Sequence, residues 1–425
     1  MALSTSLQPD TLLLNELHHL SYYQLLKRSQ SLNLSSNHSS FHGLILSQAH
    51  HHLHSGGSLS TEGILEFTPN EAVLRWLAFD LKPSIEDVLI PLPMIKKYNL
   101  KPGLRLKGML SVLHSNRLIM HELTEIEGIP IEEWKIPKDF EQLTATFPVK
   151  RILLEQPKNT NLTGRVIDLI APLGMGQRGL IIAPPRAGKT MLLKNIALAL
   201  CTNYPDIHLI VLLVDERPEE VTDLKRSLKC EIISSTFDEP TNRHLQVSEI
   251  VSERSKRLLE LGKDVVILID SLTRLSRGYN NAISTKGKTM SGGIDSRALS
   301  KPKRFFGSAR NVEEGGSLTI LATALIDTQS RMDDLIFEEF KGTGNMEVML
   351  DRSIAEQRIF PAIHLIKSAT RREELLYHPE ELKRILQLRS QLLELPAGEA
   401  IQILIQNIEI TNSNTELLLS GLKGI

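Results

Sequence analysis

The stretch from Gly179 to Leu193, GLIIAPPRAGKTMLL, constrains this chain more than any other. A short apolar run ends in a turn of prolines and small residues. Gly188-Lys189-Thr190 then opens an apolar helical segment that reaches Cys201. Strand, tight loop and helix in that order make a phosphate-binding element. The glycine lets the backbone approach a phosphate, and the first helical amides lie at the positive end of the helix dipole. Lys189 would reach the β- and γ-phosphates of a nucleotide, and the Thr190 hydroxyl would hold Mg²⁺. Ala183 stands where the usual pattern begins with glycine, a departure that a short side chain tolerates.

Such a loop needs carboxylate partners at neighbouring strand ends. Val265-Val-Ile-Leu-Ile-Asp270 is an apolar strand ending in aspartate, the usual partner that orients Mg²⁺. Leu209-Ile-Val-Leu-Leu-Val-Asp-Glu-Arg217 ends in a charged triplet. Glu216 is the candidate that would polarise the attacking water, and on pattern alone an ion pair with Arg217 competes evenly with that role. Further strand-like runs at 231–234 and 318–326, with helical segments between most of them, predict a largely parallel, doubly wound sheet from Arg151 onward.

The rest of the chain reads as smaller units. Residues 1–57 form a leucine-rich helical unit (Thr11 to Lys27, Phe41 to His50), closed by a Ser/Gly-rich linker at 54–61. Five short β-like runs in 58–128 suit a barrel of the oligonucleotide-binding or cold-shock kind. Its candidate nucleic-acid residues are Arg75, Trp76 and Phe79, with Lys96, Lys97 and Tyr98; aromatics in the barrel core and lysines on a solvated face are an equal alternative. Residues 129–150 are a proline-dotted connector, and 151–425 the α/β domain. Two later loops, Lys286 to Gly293 and Thr328 to Arg331, could turn basic groups toward a polyanion, or could be plain connections.

Composition closes off several classes. A formal net charge of −1 means that any nucleic-acid binding relies on local patches. Two cysteines make no disulfide framework. His50, His51, His52 and His54 read as a polar linker rather than a metal site. No apolar run approaches the ~20 residues of a membrane span, and no secretory signal opens the chain, so a cytoplasmic protein without a membrane partner is expected.

Several blocks resemble the bacterial transcription termination factor Rho family. They are Ala183 to Thr190, Val214-Asp-Glu-Arg-Pro-Glu-Glu-Val-Thr222, Ser235 to Pro240, Lys303-Arg-Phe-Phe-Gly307, Arg310 to Thr319 and Phe337 to Met346. The resemblance implies a RecA-like ATPase assembled as a homohexameric ring. Such a ring would draw RNA through its pore in the 5′ to 3′ direction and release transcripts from RNA polymerase, in company with elongation factors. By position it implies ATP contacts from Ala183, Pro184, Pro185, Arg186, Ala187, Gly188, Lys189, Thr190 and Met191, with Phe360 against the adenine. Thr190 and Asp270 would hold Mg²⁺. Glu216 would activate water, with Arg371 as the arginine finger of the neighbouring subunit and Arg217 and Arg358 as further catalytic arginines. Lys288, Thr289, Gly292 and Gly293 would belong to one pore loop and Arg331 to the other.

Three departures accompany the resemblance. The family's Thr-Gly-Ser-Lys is Thr328-Gln-Ser-Arg331 here, and its Ser-Gly-Thr-Arg is Ser368-Ala-Thr-Arg371. Its barrel segment Gly-Phe-Gly-Phe-Leu-Arg falls at about Glu71 to Arg75, and a further tyrosine is replaced by Leu118. Stacking is worth ~1–3 kcal/mol per base, so weakened RNA binding by the barrel is expected, with Trp76 or Phe79 as a shifted substitute. A nucleotide-binding ring scaffold acting on polymerase is the alternative function.

Overall fold

The computed structural model describes residues 11–34, 40–113, 115–156, 161–283 and 293–423. The chain forms two compact units, Met1–Pro137 with Ile250–Arg257, and Lys138–Glu249 with Leu258–Ile425.

The first unit begins with β1 (Thr11–Leu13), α1 (Leu14–His18), α2 (Tyr22–Ser31) and α3 (Phe41–His54). The barrel follows with β2 (Ser58–Phe67), β3 (Ala72–Arg75), β4 (Val88–Leu89), α4 (Leu92–Tyr98), β5 (Arg105–Val112) and β6 (Leu118–Ile126), with β7 (Ile129–Pro130) paired to β6. Pairing runs β2-β3-β4-β6-β5 and closes through β5 on β2, which is the expected five-stranded barrel. In β5, Leu106, Gly108 and Leu110 are buried while Arg105, Lys107 and Met109 are half-exposed, the period of two that one buried face demands. Leu14, Leu17, Leu25, Leu44 and Ile45 pack into the same core as Leu59, Leu74 and Leu106.

Two readings of this region are corrected. The expected linker at 54–61 is strand from Ser58, because Thr11–Leu13 returns as a parallel partner along β2; that partner lies too far away in sequence to be seen locally. The histidine tract is the last part of α3, where His51, His52 and His54 occupy the final turn and face the negative end of the helix dipole.

A buried titratable pair lies under these helices. Glu86 is fully buried, with His42 Nδ1 at 3.1 Å and His18 Nε2 at 3.5 Å. Burial pushes the Glu86 carboxyl up to about 8, with Asp87 adding to the rise, and pushes His18 down to about 4. The pair is therefore a neutral carboxyl beside neutral imidazole across much of the working range. A carboxyl whose pKa is raised on folding stabilises the fold below its unfolded value, and that contribution is lost as pH rises toward about 8. Glu86→Gln keeps the shape and removes the ionisation. Its melting temperature should exceed that of the parent at pH 8.5 by about 2–4 °C for each kcal/mol recovered, and the gain should shrink at pH 6. A gain that grows toward acid pH would contradict this reading.

The second unit opens with β8 (Ala145–Thr146), β9 (Arg151–Ile152), α5 (Leu162–Ile170) and β10 (Leu173–Gly174). Its main body follows as β11 (Arg178–Ala183), α6 (Lys189–Asn203), β12 (His208–Glu216), α7 (Pro218–Ser227), β13 (Glu231–Thr236), α8 (Thr241–Glu260, of which Ile250–Arg257 is counted with the first unit), β14 (Asp264–Asp270) and α9 (Leu272–Ala282). Next come α10 (Ser300–Gly307), β15 (Arg310–Val312), β16 (Ser317–Leu325), α11 (Arg331–Lys341), β17 (Met346–Met349), α12 (Arg352–Glu356) and β18 (Ala369–Thr370). Helices α13 (Pro379–Leu393), α14 (Ala397–Glu409) and α15 (Asn414–Ser420) finish the chain.

The sheet order is β13-β12-β14-β16-β11-β17-β18. The first six strands are parallel; β18 is antiparallel to β17, and β15 is antiparallel to β16. Six of the seven residues of β14 are buried, as expected of a parallel strand covered on both faces. The apolar stretch Ala362 to Ile366 joins the sheet only through an isolated bridge, Leu350 to Ile363. Ligands of such sheets gather at the strands' carboxyl ends, and Ala183, Glu216, Asp270 and Leu325 all fall there.

Candidate active site

The phosphate loop runs from the end of β11 to the start of α6. Arg186 and Gly188 both take positive φ, 66° and 89°. Gly188 is the N-cap of α6, and no side chain caps the helix, so its first amides remain available to an anion. A β-carbon at Gly188 would meet the Phe360 ring at 3.4 Å. That places the half-exposed Phe360 (47 %) beside the loop. Pro185, Arg186 and Met191 are exposed, whereas Ala183, Pro184 and Ala187 are buried and shape the turn.

Carboxylates converge on the loop's lysine. Lys189 Nζ pairs with Asp270 Oδ1 and lies 3.6 Å from Glu216 Oε2. Asp270 also accepts from Thr323 Oγ1 at 2.8 Å. The Thr190 hydroxyl donates to Glu220 Oε2 at 3.0 Å. Glu216 is aimed by a bulge: the register with β13 slips between Val214 and Glu216, and Asp215 takes φ of 57°. Bulges commonly re-aim a side chain at functional sites. Glu216 is only 3 % exposed, and its second cation is Arg274, whose Nη1 is 3.3 Å away and also donates to the Asp215 carbonyl. Burial raises the Glu216 pKa; Lys189 opposes the shift, Asp270 adds to it, and Arg274 opposes it.

Glu216 therefore faces Lys189 and Arg274, and Arg217 is not among the cations it pairs with in the described residues. Arg217 is exposed as the N-cap residue of α7. Arg358 is exposed at φ of 62°, two residues before Phe360. Sequence reasoning missed Arg274, Glu220 and Thr323. Arg274 follows Asp270 by four residues and Glu220 lies in the first turn of α7, so both were within reach of a spacing argument. Thr323 reaches Asp270 from the neighbouring strand β16, which only the sheet order reveals.

Arg371 lies elsewhere on the sheet. Its amide donates to the Asn345 carbonyl at 2.9 Å, and Asn345 Oδ1 accepts from the Arg178 amide at 2.8 Å. Arg178 begins β11, whose other end leads into the phosphate loop, about 16 Å away along the strand. Glu373 is taken by Arg389 and Glu374 by Arg372, so neither of the adjacent acids pairs with Arg371, which is exposed.

Among the loop residues, Lys288, Thr289 and Gly292 lie outside the described residues. Gly293 takes φ of 81°, and its carbonyl accepts from Asn280 Nδ2 at 3.2 Å. Arg331 is the exposed first residue of α11. Gln329 takes φ of 61°, so the residue standing where the family pattern has glycine still adopts a conformation that glycine favours. Asp333, fully buried, anchors this loop through a two-point bond from Arg277 (2.7 and 2.5 Å) and a bond from Thr328 Oγ1 at 2.6 Å.

The barrel candidates are corrected. Trp76 is 1 % exposed and part of the core. Arg75 is 5 % exposed, bound to Glu66 and Asp87. Phe79 packs its ring against His18 and His42, with centroids 4.8 and 4.9 Å apart. All four residues of β3 are buried, so this segment has no outward face on which a base could stack. At the former aromatic position Glu71 holds Arg117 in a two-point ion pair of 2.7 and 2.8 Å.

A parallel sheet with an uncapped phosphate loop and two strand-end carboxylates around its lysine defines a P-loop ATPase. Residues 164–370 match the ATP synthase alpha/beta family, nucleotide-binding domain. A prototypical ATPase from the type III secretion system of pathogenic bacteria shares the fold, with a TM-score of 0.55 at 23% identity, covering 66% of this chain and 86% of that one. The chain is also similar to transcription termination factor Rho of Akkermansia muciniphila, 52% identical over 371 residues, 87% of this chain and 78% of that protein. With Rho of Pseudomonas aeruginosa it is 46% identical over 410 residues, 95% of this chain and 98% of that protein. With Rho of Aquifex aeolicus it is 49% identical over 364 residues, 84% and 83% respectively. The chain belongs to the transcription termination factor Rho family, and it is a nucleotide-binding, ATP-hydrolysing enzyme.

Proposed function

We propose that this termination factor works as a homohexameric, RNA-dependent ATPase that translocates 5′ to 3′ along the nascent transcript in the cytoplasm and detaches it from RNA polymerase, meeting elongation factors there. The observation that carries the proposal is the separation of Arg371 from the phosphate loop of its own chain. A finger about 16 Å away along β11 serves a nucleotide only when another copy presents it, which a ring of identical subunits does. The membership in the Rho family and the exposed Arg331 that begins α11 support RNA as the track.

ATP would lie with its phosphates over the amides of 185–190 and its base against Phe360. Lys189 would exchange Asp270 for the phosphates, freeing that carboxylate. Thr190 Oγ1 and the Asp270 carboxylate, a hydroxyl and a carboxylate, are hard oxygen donors that suit Mg²⁺. When bound, Mg²⁺ would neutralise charge on the β- and γ-phosphates. Glu216, held by Arg274 and turned by the Asp215 bulge, would accept a proton from the attacking water. Arg217 and Arg358, on the same side as the phosphate loop, would contribute positive charge near the phosphates. Lys288, Thr289, Gly292 and Gly293 on one loop and Arg331 on the other would touch the RNA backbone. No helix among the described residues is long and apolar enough to cross a membrane.

The test is ATP hydrolysis by the purified chain with and without poly(C), poly(U) and mixed-sequence RNA. Stimulation by RNA of any composition is expected, because the barrel lacks the pyrimidine-stacking aromatics. Hydrolysis indifferent to every RNA, in an assembled ring that binds nucleotide, would overturn the proposal. The scaffold alternative is not favoured, since a scaffold has no use for a buried carboxylate aimed at the nucleotide.

A further inference from the structure

The first unit lacks the stacking platform that its family resemblance implies, yet it carries an exposed aromatic and basic stripe on a different element. From Leu17 to Thr61 the chain contains no aspartate or glutamate, although 50 are spread over its 425 residues. Eight of its 14 histidines, together with Lys27 and Arg28, fall in that acid-free stretch. Helix α2 lies within it. Tyr23 is 73 % exposed and Tyr22 47 % exposed, and Gln24, Lys27 and Arg28 are exposed alongside them. Tyr23 and Lys27 are four residues apart, as are Gln24 and Arg28, so each pair shares a line on the helix surface. No carboxylate among the described residues pairs with Lys27 or Arg28.

The helix is held firmly enough to serve as a platform. Ser21 Oγ accepts from the Gln24 amide at 3.3 Å while Gln24 Oε1 accepts from the Ser21 amide at 2.7 Å, a reciprocal cap that sets where α2 starts. On the opposite face Leu25 and Ser29 are fully buried. Gln48 of α3 donates to the Leu25 carbonyl and to Ser29 Oγ, both at 2.8 Å. An aromatic ring on a fixed helix, next to cations and with acid excluded from the whole segment, is the combination that single-stranded nucleic acid uses: bases stack on the ring and phosphates meet the cations.

We propose that the exposed face of α2, built on Tyr23 with Lys27 and Arg28 and flanked by Tyr22, is an RNA-binding surface that stands in for the missing platform of the barrel. Its ligand is single-stranded RNA without pyrimidine preference, because a tyrosine face stacks on any base. This rests on the reading of the chain as an RNA-dependent ATPase.

The test uses the full chain and fluorescein-labelled 15-residue oligo(C) and oligo(A), with affinity read by anisotropy between 50 and 200 mM salt. Tyr23→Ala should weaken both RNAs about tenfold and Tyr23→Phe should restore binding, as stacking requires. The double variant Lys27→Ala/Arg28→Ala should lower the slope of log affinity against log salt by about 0.7 for each phosphate contact removed. At saturating RNA each variant should reach the parent's ATP turnover, only at a higher RNA concentration. Circular dichroism melting of each variant guards against misfolding, and the tyrosine-to-phenylalanine rescue could not follow from a collapsed helix. If the parent binds both RNAs and the Tyr23→Ala and double variants bind them within twofold of it, the surface is not the RNA site, although the motor reading stands. Loss of oligo(C) binding alone also overturns the proposal. A parent that binds neither RNA removes the motor reading, and this inference with it.

Discussion

Replacing Glu216 with glutamine will lower the turnover number for ATP hydrolysis by about 10²–10⁴-fold, the contribution of a positioned general base, and will leave nucleotide binding intact. The substitution keeps the size of a side chain that is 3 % exposed and removes its charge. Lys189 at 3.6 Å and Arg274 at 3.3 Å then lose a compensating carboxylate. Their positive field acts more fully on the phosphates, so ATP affinity should hold or rise while chemistry stops. Single-turnover hydrolysis beside binding of a fluorescent ADP analogue separates the two effects. The pH profile supplies a second check. Burial holds the Glu216 carboxyl above the usual glutamate range, and a base works only when deprotonated. The acid limb of kcat/KM should therefore rise with pH at a value above that of an ordinary glutamate, and should disappear in Glu216→Gln. An acid limb that survives the substitution unchanged would assign the proton to another group.

The nucleotide-binding half of this molecule is legible in its sequence for a physical reason. Parallel strands covered on both faces must be apolar along their length, so Val265 to Ile269 and Leu209 to Val214 announce themselves, and the charge that ends each run marks the ligand edge of the sheet. What the sequence hides is whatever depends on register. The Asp215 bulge exists only relative to β13, and Thr323 meets Asp270 only because β16 lies beside β14. Trp76 is unreadable for a related reason. A four-residue strand buried on every residue has no alternation, so nothing in Ala72 to Arg75 tells inside from outside. Ser58 to Thr61 looks like a linker until Thr11 to Leu13 arrives as its parallel neighbour. Arg371 and Arg372 are indistinguishable as adjacent letters. In the fold, Arg372 is held by Glu374 and lies over the Phe147 ring at 5.1 Å, while Arg371 has neither partner.

Arg371 carries the second large effect. Arg371→Ala should reduce ATP turnover by about 10³–10⁵-fold, the range for an arginine finger that meets transition-state charge from a neighbouring subunit. Its backbone is pinned to Asn345, the residue before β17, which in turn holds Arg178 at the start of β11, so the loss can be traced to the guanidinium rather than to the sheet edge. The decisive form of the experiment mixes two inactive proteins. Lys189→Ala lacks a working phosphate loop but keeps Arg371; Arg371→Ala lacks the finger but keeps the loop. Where a Lys189→Ala subunit presents its Arg371 to the nucleotide of an Arg371→Ala neighbour, a complete site forms. In a random equimolar ring with head-to-tail interfaces roughly a quarter of the sites are of this kind. Activity that appears only after the two are mixed and reassembled follows from a finger acting between subunits. A mixture as inactive as its components would mean that Arg371 serves its own chain, across a sheet that separates it from Lys189 by the length of β11.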